Sequence, residues 1–347
     1  MARTAIFKDA LYMEHDPGYS HVESPDRLRV IYEELEQRED TRDFLFPNAD
    51  PASRDILLMN HSENLVARIE QTAGRTFDAL DPDTSTSPLS YDAACLAAGA
   101  AVEGVKLLSA GEVDNCFALV RPPGHHAEYD RAMGFCLFNN VAIAARYALE
   151  HEQLERVLIM DWDLHHGNGT QHSFYDTDQV LYFSTHQYPY YPGSGAASEI
   201  GTGKGQGYTV NVPLSGGQGD MAFARIFNEL LAPITRQYKP QMILVSAGFD
   251  TYQGDPLGGM NVTPAGFAYM ARVLKELAEE VCDGRLLLTL EGGYSLTGLR
   301  DGTMAVLDEL NDSGYLSEED LSRFRNSSDS LPLLNSAQTI AKNFWKL

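Results

Sequence analysis

Positive charge is scarce in this chain. Lys and Arg number 26 against 49 Asp and Glu, a formal net charge of −23 over 347 residues. Phosphate-backbone binding needs basic stripes, so direct nucleic-acid binding is not expected. An acidic surface suits a cationic substrate, which it can steer inward. Long apolar runs are also missing. No stretch approaches membrane-spanning length, and the start Met1-Ala2-Arg3-Thr4-Ala5-Ile6-Phe7 has no apolar signal core. A cytoplasmic protein away from the membrane is therefore expected. Cysteine is sparse: Cys95, Cys116, Cys136 and Cys282 form no C-x-x-C pair and each lies in or beside an apolar segment. Buried free thiols in a reducing compartment follow. No Gly-x-Ser-x-Gly elbow and no phosphate loop occurs. The stretch Gly201-Thr202-Gly203-Lys204-Gly205 lacks Walker spacing and reads as a flexible turn.

The composition present is that of a large globular chain, 44% hydrophobic, with no internal repeat. Short apolar runs alternate with helical patterns and no linker interrupts them. Strands are expected over 115–120, 156–160, 180–184, 208–213, 241–246 and 286–291. Helices are expected from Ser24-Pro25 through Leu35, over 91–110, 138–150, 169–175, 221–238, 264–282 and 297–310. Polar loops are expected over 12–18 and 80–89. Such alternation implies an α/β fold, a parallel sheet covered on both faces. One domain over 1–347 is expected, with 316–347 as a packed C-terminal appendage carrying a small amphipathic end near Ile340 to Trp345.

The chemistry-bearing residues gather where strands end, the edge at which open parallel sheets bind ligands. The most informative stretch is Asp161-Trp162-Asp163-Leu164-His165-His166-Gly167, directly after Val157-Leu158-Ile159-Met160. In extended chain, alternate side chains share a face, so Asp161, Asp163 and His165 are expected to point one way. Two carboxylates and an imidazole suit a divalent metal. A plain alternative is an acidic strand end bonding to loop backbone. Asp250, ending Ser246-Ala247-Gly248-Phe249, offers a third ligand beside Asp163 and His165, leaving positions open as a catalytic site requires. Arg121-Pro122-Pro123-Gly124-His125-His126 follows another strand, and a tandem histidine pair suits proton transfer near neutral pH. Glu291-Gly292-Gly293-Tyr294 ends a fourth strand and places a phenol where it can donate to an oxyanion. Phe135 and Tyr191, on Gly-rich loops, are able to wall a slot.

Together these motifs, with Gly254-Asp255-Pro256-Leu257, resemble the zinc-dependent histone deacetylase family, including bacterial deacetylase-like amidohydrolases and acetylpolyamine amidohydrolases. The likeness runs from about residue 15 to 310, and Trp162, Asn168 and Gln171 look like its class II branch. The resemblance implies an arginase-like three-layer α/β/α fold with a mainly parallel, eight-stranded sheet. It implies Zn²⁺ on Asp163, His165 and Asp250, although an O/N ligand set also admits Fe²⁺, Co²⁺ or Mn²⁺. It makes His126 the general base, partnered by Asn168, and His125 its electrostatic neighbour, partnered by Asp161. It gives Tyr294 the oxyanion. It implies structural K⁺ at Asp161, Asp163, His165, Ser184 and Thr185, and again at Phe174, Thr177, Val180 and Tyr208. Phe135, Tyr191, Leu257 and Gly293 would line a substrate tunnel, and Asp83 would be a rim acid.

The implied activity is removal of acetyl or other short acyl groups from acyl-lysine in proteins or peptides, with sensitivity to hydroxamate inhibitors. Polyamine-selective relatives carry glutamate where this chain has Leu257, which tilts the balance toward acyl-lysine. Two rivals stay open: hydrolysis of acetylated polyamines, and a non-catalytic acyl-lysine binder with a structural zinc. A ureohydrolase fits less well, because its two-metal site needs D-x-H-x-D. Homo-oligomerisation is left open.

Overall fold

A computed structural model describes residues 2–38, 44–326 and 332–347. Its centre is an eight-stranded sheet in the order β2-β1-β5-β10-β9-β6-β7-β8. The strands are β1 (Thr4–Phe7), β2 (Phe44–Leu45), β5 (Asn115–Ala118), β6 (Val157–Asp161), β7 (Val180–Gln187), β8 (Thr209–Leu214), β9 (Met242–Ala247) and β10 (Leu286–Leu290). Every neighbouring pair in it runs parallel. The inner strands are buried on both faces, which is why they read as continuous Val/Ile/Leu runs rather than as alternation.

Helices cover both faces. On one side α4 (Ser90–Ser109) packs on β5 and β10, and α5 (Asn140–Glu150) packs on β6 and β9. The other layer holds α9 (Pro264–Val281) against β9 and β10, with α10 (Leu296–Leu310) on α9 and α1 (Asp26–Gln37) on α10. Local chemistry sets several boundaries. Asn139 caps α5 by accepting from Ala142 N–H, Ser295 caps α10 by accepting from Gly298 N–H, and Pro264 opens α9 at a position where its missing N–H costs nothing.

Several details differ from the sequence reading. The expected loop over 80–89 contains a hairpin, β3 (Asp78–Asp81) and β4 (Thr84–Thr86), preceded by the short helices α2 (Arg54–Leu58) and α3 (Glu63–Glu70). Arg68 and Arg75 neutralise Asp78, and Arg131 pairs with Asp81, so an acidic stretch stays ordered. After α6 (Asn168–Ser173), the single helix expected over 221–238 is α7 (Asp220–Ile226), a π-helical turn Phe227–Leu231 and α8 (Ala232–Tyr238). Pro233 enters at the start of α8, and the wider turn before it accommodates the residue that cannot donate. The C-terminal segment forms α11 (Glu318–Arg325) and α12 (Pro332–Ala341). The latter packs on the edge strand β8, and Trp345 Nε1 donates to Gly207 O at 3.0 Å. An open parallel edge is thereby covered. Among the described residues no helix is long and apolar enough to cross a membrane. All four cysteines are buried and free.

A candidate metal-assisted active site

Strands β5, β10, β9 and β6 are consecutive in the sheet. They carry the four motifs singled out above, so residues far apart in sequence emerge side by side at one edge. Asp163, His165 and Asp250 come together there, all buried, with one ligand atom of each within 4.8 Å of the others. His165 Nδ1 lies 3.2 Å from Asp163 Oδ1 and 3.0 Å from Asp250 Oδ2. The remaining oxygens are already engaged. Gly292 N–H donates to Asp163 Oδ2 at 2.8 Å and Leu164 N–H to Asp250 Oδ1 at 2.9 Å. Asp163 Oδ1 accepts from His165 N–H as well, at 2.8 Å, so backbone holds both carboxylates while Asp163 Oδ1 and Asp250 Oδ2 face the His165 ring.

Burial and the neighbouring Asp163 charge push Asp250 up to about 7, well above an ordinary carboxyl. Burial opposes charge on His165, but Asp163 and Asp250 outweigh it and lift His165 to about 9. Two buried carboxylates and an imidazole converge on one point, and this O/N donor set fits a divalent cation. The approach is possible only because two neighbours have no side chain. A Cβ on Gly292 would stand 2.4 Å from Asp250 Oδ2, and one on Gly248 2.1 Å from Asp163 Oδ2.

Asp161 stands beside the three-ligand group and outside it. The strand ends at Asp161 and the chain then bends, so alternation stops. Its Oδ2 instead accepts from His125 Nδ1 at 3.1 Å and from the Tyr182 hydroxyl at 3.0 Å. The His125 ring reaches toward Asp163, with Nε2 at 3.7 Å from Oδ1. Burial disfavours its charge, yet Asp163 and Asp161 prevail and raise it to about 10. His126 Nδ1 bonds Asn168 Oδ1 at 2.8 Å. Burial first, then the positive charges of His125 and His165, hold the His126 pKa well below its ordinary value. The paired histidines, 4.0 Å apart between ring centroids, are therefore driven to opposite protonation states. Glu291 fixes the loop before them, accepting from Gly124 N–H at 2.6 Å and His125 N–H at 3.1 Å.

Above this floor is a cavity of about 290 Å³ reached by His126, His165 and Tyr294. Phe135, Tyr191, Leu257 and Asp83 line it, together with Tyr190 and Gly134. Tyr191 meets His126 edge-on at 5.1 Å, and Phe135 meets Tyr294 edge-on at 5.9 Å. Phe135 adopts φ +67°, unusual for a bulky residue and indicative of a wall set by its surroundings. The hairpin supplies the setting: Gly134 N–H donates to Asp83 Oδ1 at 3.0 Å and Phe135 N–H to Thr84 Oγ1 at 3.1 Å. Gly293 is not on the lining; it sits against Phe249 and Leu299. Of the positions singled out for K⁺, Ser184 pairs in register with Asp161, and Thr185 Oγ1 is 3.5 Å from Asp161 O. Phe174 and Thr177 precede β7, Val180 begins it and Tyr208 adjoins β8.

Several contributors had no signal in the sequence. Tyr190 stacks on His165 at 5.7 Å and donates its hydroxyl to Leu257 O at 3.0 Å. Arg27, fully buried on α1, donates Nε to Gly293 O at 2.7 Å and bonds Glu291 O, bracing the loop that carries Tyr294. Its guanidinium also stands 5.0 Å over the Tyr294 ring. Buried Glu23 joins Arg27 to Arg121. Asp255 lies in a motif the sequence did reveal, but its acceptance of the Tyr294 and Ser295 N–H groups did not show there.

A model of the "Histone deacetylase domain" matches residues 21–310. A "Probable deacetylase" of Archaeoglobus fulgidus is 40% identical over 298 residues, covering 85% of this chain and 82% of that protein. "Histone deacetylase 15" of Arabidopsis thaliana is 42% identical over 295 residues, covering 84% of this chain and 52% of that protein. The chain thus spans most of the archaeal relative but about half of this plant relative, and 47% of Arabidopsis "Histone deacetylase 18". The solved "HDA15 HD domain" superposes with a TM-score of 0.90 at 38% identity, over 99% of this chain and 95% of that one. The sheet is thus the arginase-like α/β sheet of that domain, and the matched span contains every motif gathered at its edge. On domain, sequence and fold together, the chain belongs to the histone deacetylase family.

Proposed function

We propose that the protein is a metal-dependent amidohydrolase that removes acetyl or other short acyl groups from the side-chain amine of lysine. The observation carrying this is the conjunction of an oppositely poised histidine pair, three inward-facing ligands and a tyrosine around one aromatic-walled cavity. Asp163, His165 and Asp250 would hold the ion, taken as Zn²⁺ from the family resemblance. When bound, such an ion supplies Lewis acidity toward a carbonyl and lowers the pKa of water. His126, neutral and hydrogen-bonded through Nδ1, presents Nε2 to accept the proton of the attacking water. Asp161 keeps His125 protonated beside it, adding positive charge where the oxyanion develops. Tyr294, with its pKa raised by burial, stays a phenol and donates to that oxyanion. The proton taken by His126 then goes to the departing amine, and the acid proton of the product follows, giving a carboxylate and an ammonium. Phe135 and Tyr191 exclude water from the alkyl stem. Leu257 offers no charge to a second amine, which favours acyl-lysine over acylated polyamine.

K⁺ at the two groups of residues around Ser184 and Tyr208, and a cytoplasmic location, belong to the same reading. The location is supported by four buried free thiols. The test is turnover by metal-analysed protein on paired acetyl-lysine peptides and acetylated polyamines, with a hydroxamate control. Hydroxamate-sensitive turnover of the peptides is expected. Preference for the polyamines overturns the substrate assignment, and bound metal without turnover on either set overturns catalysis in favour of a binder.

A further inference from the structure

Behind the site, a chain of polar groups runs from His126 to the surface. His126 Nδ1 meets Asn168 Oδ1 at 2.8 Å, and the Asn168 amide nitrogen donates to Glu128 Oε1 in a short hydrogen bond. Glu128 in turn meets His172 Nδ1, at 2.9 Å from one carboxylate oxygen and 3.0 Å from the other. The mechanism above uses only the first two members.

Glu128 is built into place. Its N–H donates to Arg131 O at 2.9 Å, and its carbonyl meets His61 Nδ1 at 2.9 Å. Its side chain is 19% exposed, that of His172 54%. The His172 pKa is raised chiefly by its hydrogen bond to Glu128.

An amide side chain has a donor end and an acceptor end of nearly the same shape, so something must choose which faces His126. An ionised carboxylate only accepts. Glu128 therefore draws the NH₂ end of Asn168 toward itself and leaves Oδ1 for His126. His126 must then carry its proton on Nδ1, with the Nε2 lone pair free toward the cavity. The reversed amide would offer N–H to Nδ1, place the ring proton on Nε2 and leave no base. The His126 carbonyl, 3.3 Å from Asn168 Nδ2, is a second but longer acceptor on the same side.

We propose that Glu128 is a positioning residue that sets the His126 tautomer by fixing the Asn168 amide, with His172 as its surface partner. The inference rests on the deacetylase reading only for the use made of Nε2; the tautomer itself does not depend on it.

The decisive variant is Glu128→Lys, which replaces an obligate acceptor with an obligate donor. It should lower kcat about tenfold or more with KM nearly unchanged, the scale of a misdirected general base. Glu128→Gln, able to present a carbonyl, should stay within about threefold of native. Adding Asn168→Asp to Glu128→Lys should restore much of the loss, because a carboxylate accepts from both the ammonium and His126. Nitrogen-15 spectra of labelled histidine give a readout independent of turnover. His126 should show its proton on Nδ1 in the native protein and on Nε2 in Glu128→Lys. Should Glu128→Lys fail to fold, Glu128→Leu, which has no acceptor, should give the same ring-nitrogen change in weaker form. Native kcat together with an unchanged ring-nitrogen pattern in a folded variant overturns the proposal. Wild-type protein inactive on acyl-lysine while showing the expected Nδ1 proton overturns the substrate reading instead.

Discussion

Asp255 holds Tyr294 by its backbone. One carboxylate oxygen accepts from Tyr294 N–H at 2.7 Å and Ser295 N–H at 2.9 Å, and the other accepts from Leu257 N–H at 2.9 Å. The oxyanion donor and the rim residue thus share one anchor. Asp255→Asn keeps the shape but turns one acceptor into a donor facing N–H groups. Turnover should fall by about tenfold or more, the cost of a slightly misplaced catalytic group. Metal content should be unchanged. Native kcat in a fully metallated variant would detach Asp255 from positioning.

Tyr294→Phe removes the hydroxyl and leaves the ring between Phe135 and Arg27. A loss of about 10²-fold or more in kcat is expected, as for other oxyanion donors. Metal analysis should give the native value. Unchanged turnover would remove Tyr294 from the chemistry.

The pH dependence follows from His126. Its pKa is held below the ordinary 6.5 by burial and by His125 and His165. A base with a lowered pKa is proton-free above that pKa and disabled below it. The acid limb of kcat/KM should therefore fall below pH 6.5, with metal content followed in parallel. A limb centred above pH 7 with metal retained would contradict a depressed His126.

Gly292→Ala tests the cradle. The added methyl would stand 2.4 Å from Asp250 Oδ2 and 2.6 Å from Asp163 Oδ2. Backbone on one side and a packed sheet end on the other leave the carboxylates as the groups that must move. Bound metal per chain should drop sharply, and turnover with it, while the melting transition stays cooperative. Native metal content in the variant would show that the ligands can rearrange.

The reactive residues were legible because each motif follows a continuous apolar run, and in a parallel sheet such runs end at one edge. Asp163, His165 and Asp250 needed no more than that. Alternation alone did not separate Asp161 from the ligands; the family resemblance paired it with His125, the contact it makes. Arg27 had no local signal at all: its partner Gly293 lies 266 residues away, and on α1 it occupies a charged position in an otherwise ordinary amphipathic pattern. Glu128 reads as a surface acid until Asn168 is seen beside it. The hairpin β3–β4 is too short and too polar to announce itself, and its partners Arg68 and Arg131 lie outside it in the chain.

The ligand floor and the cavity mouth are made of different material. The floor is main chain pressed against carboxylates at Gly248 and Gly292, where even a methyl group collides. The mouth is side chains, Tyr190, Tyr191, Leu257 and Phe135, carried on loops outside the sheet. Changes in diet and changes in chemistry are therefore separable in this protein. Residues at the mouth can be exchanged to admit bulkier or more polar guests, while the floor offers almost no room for variation.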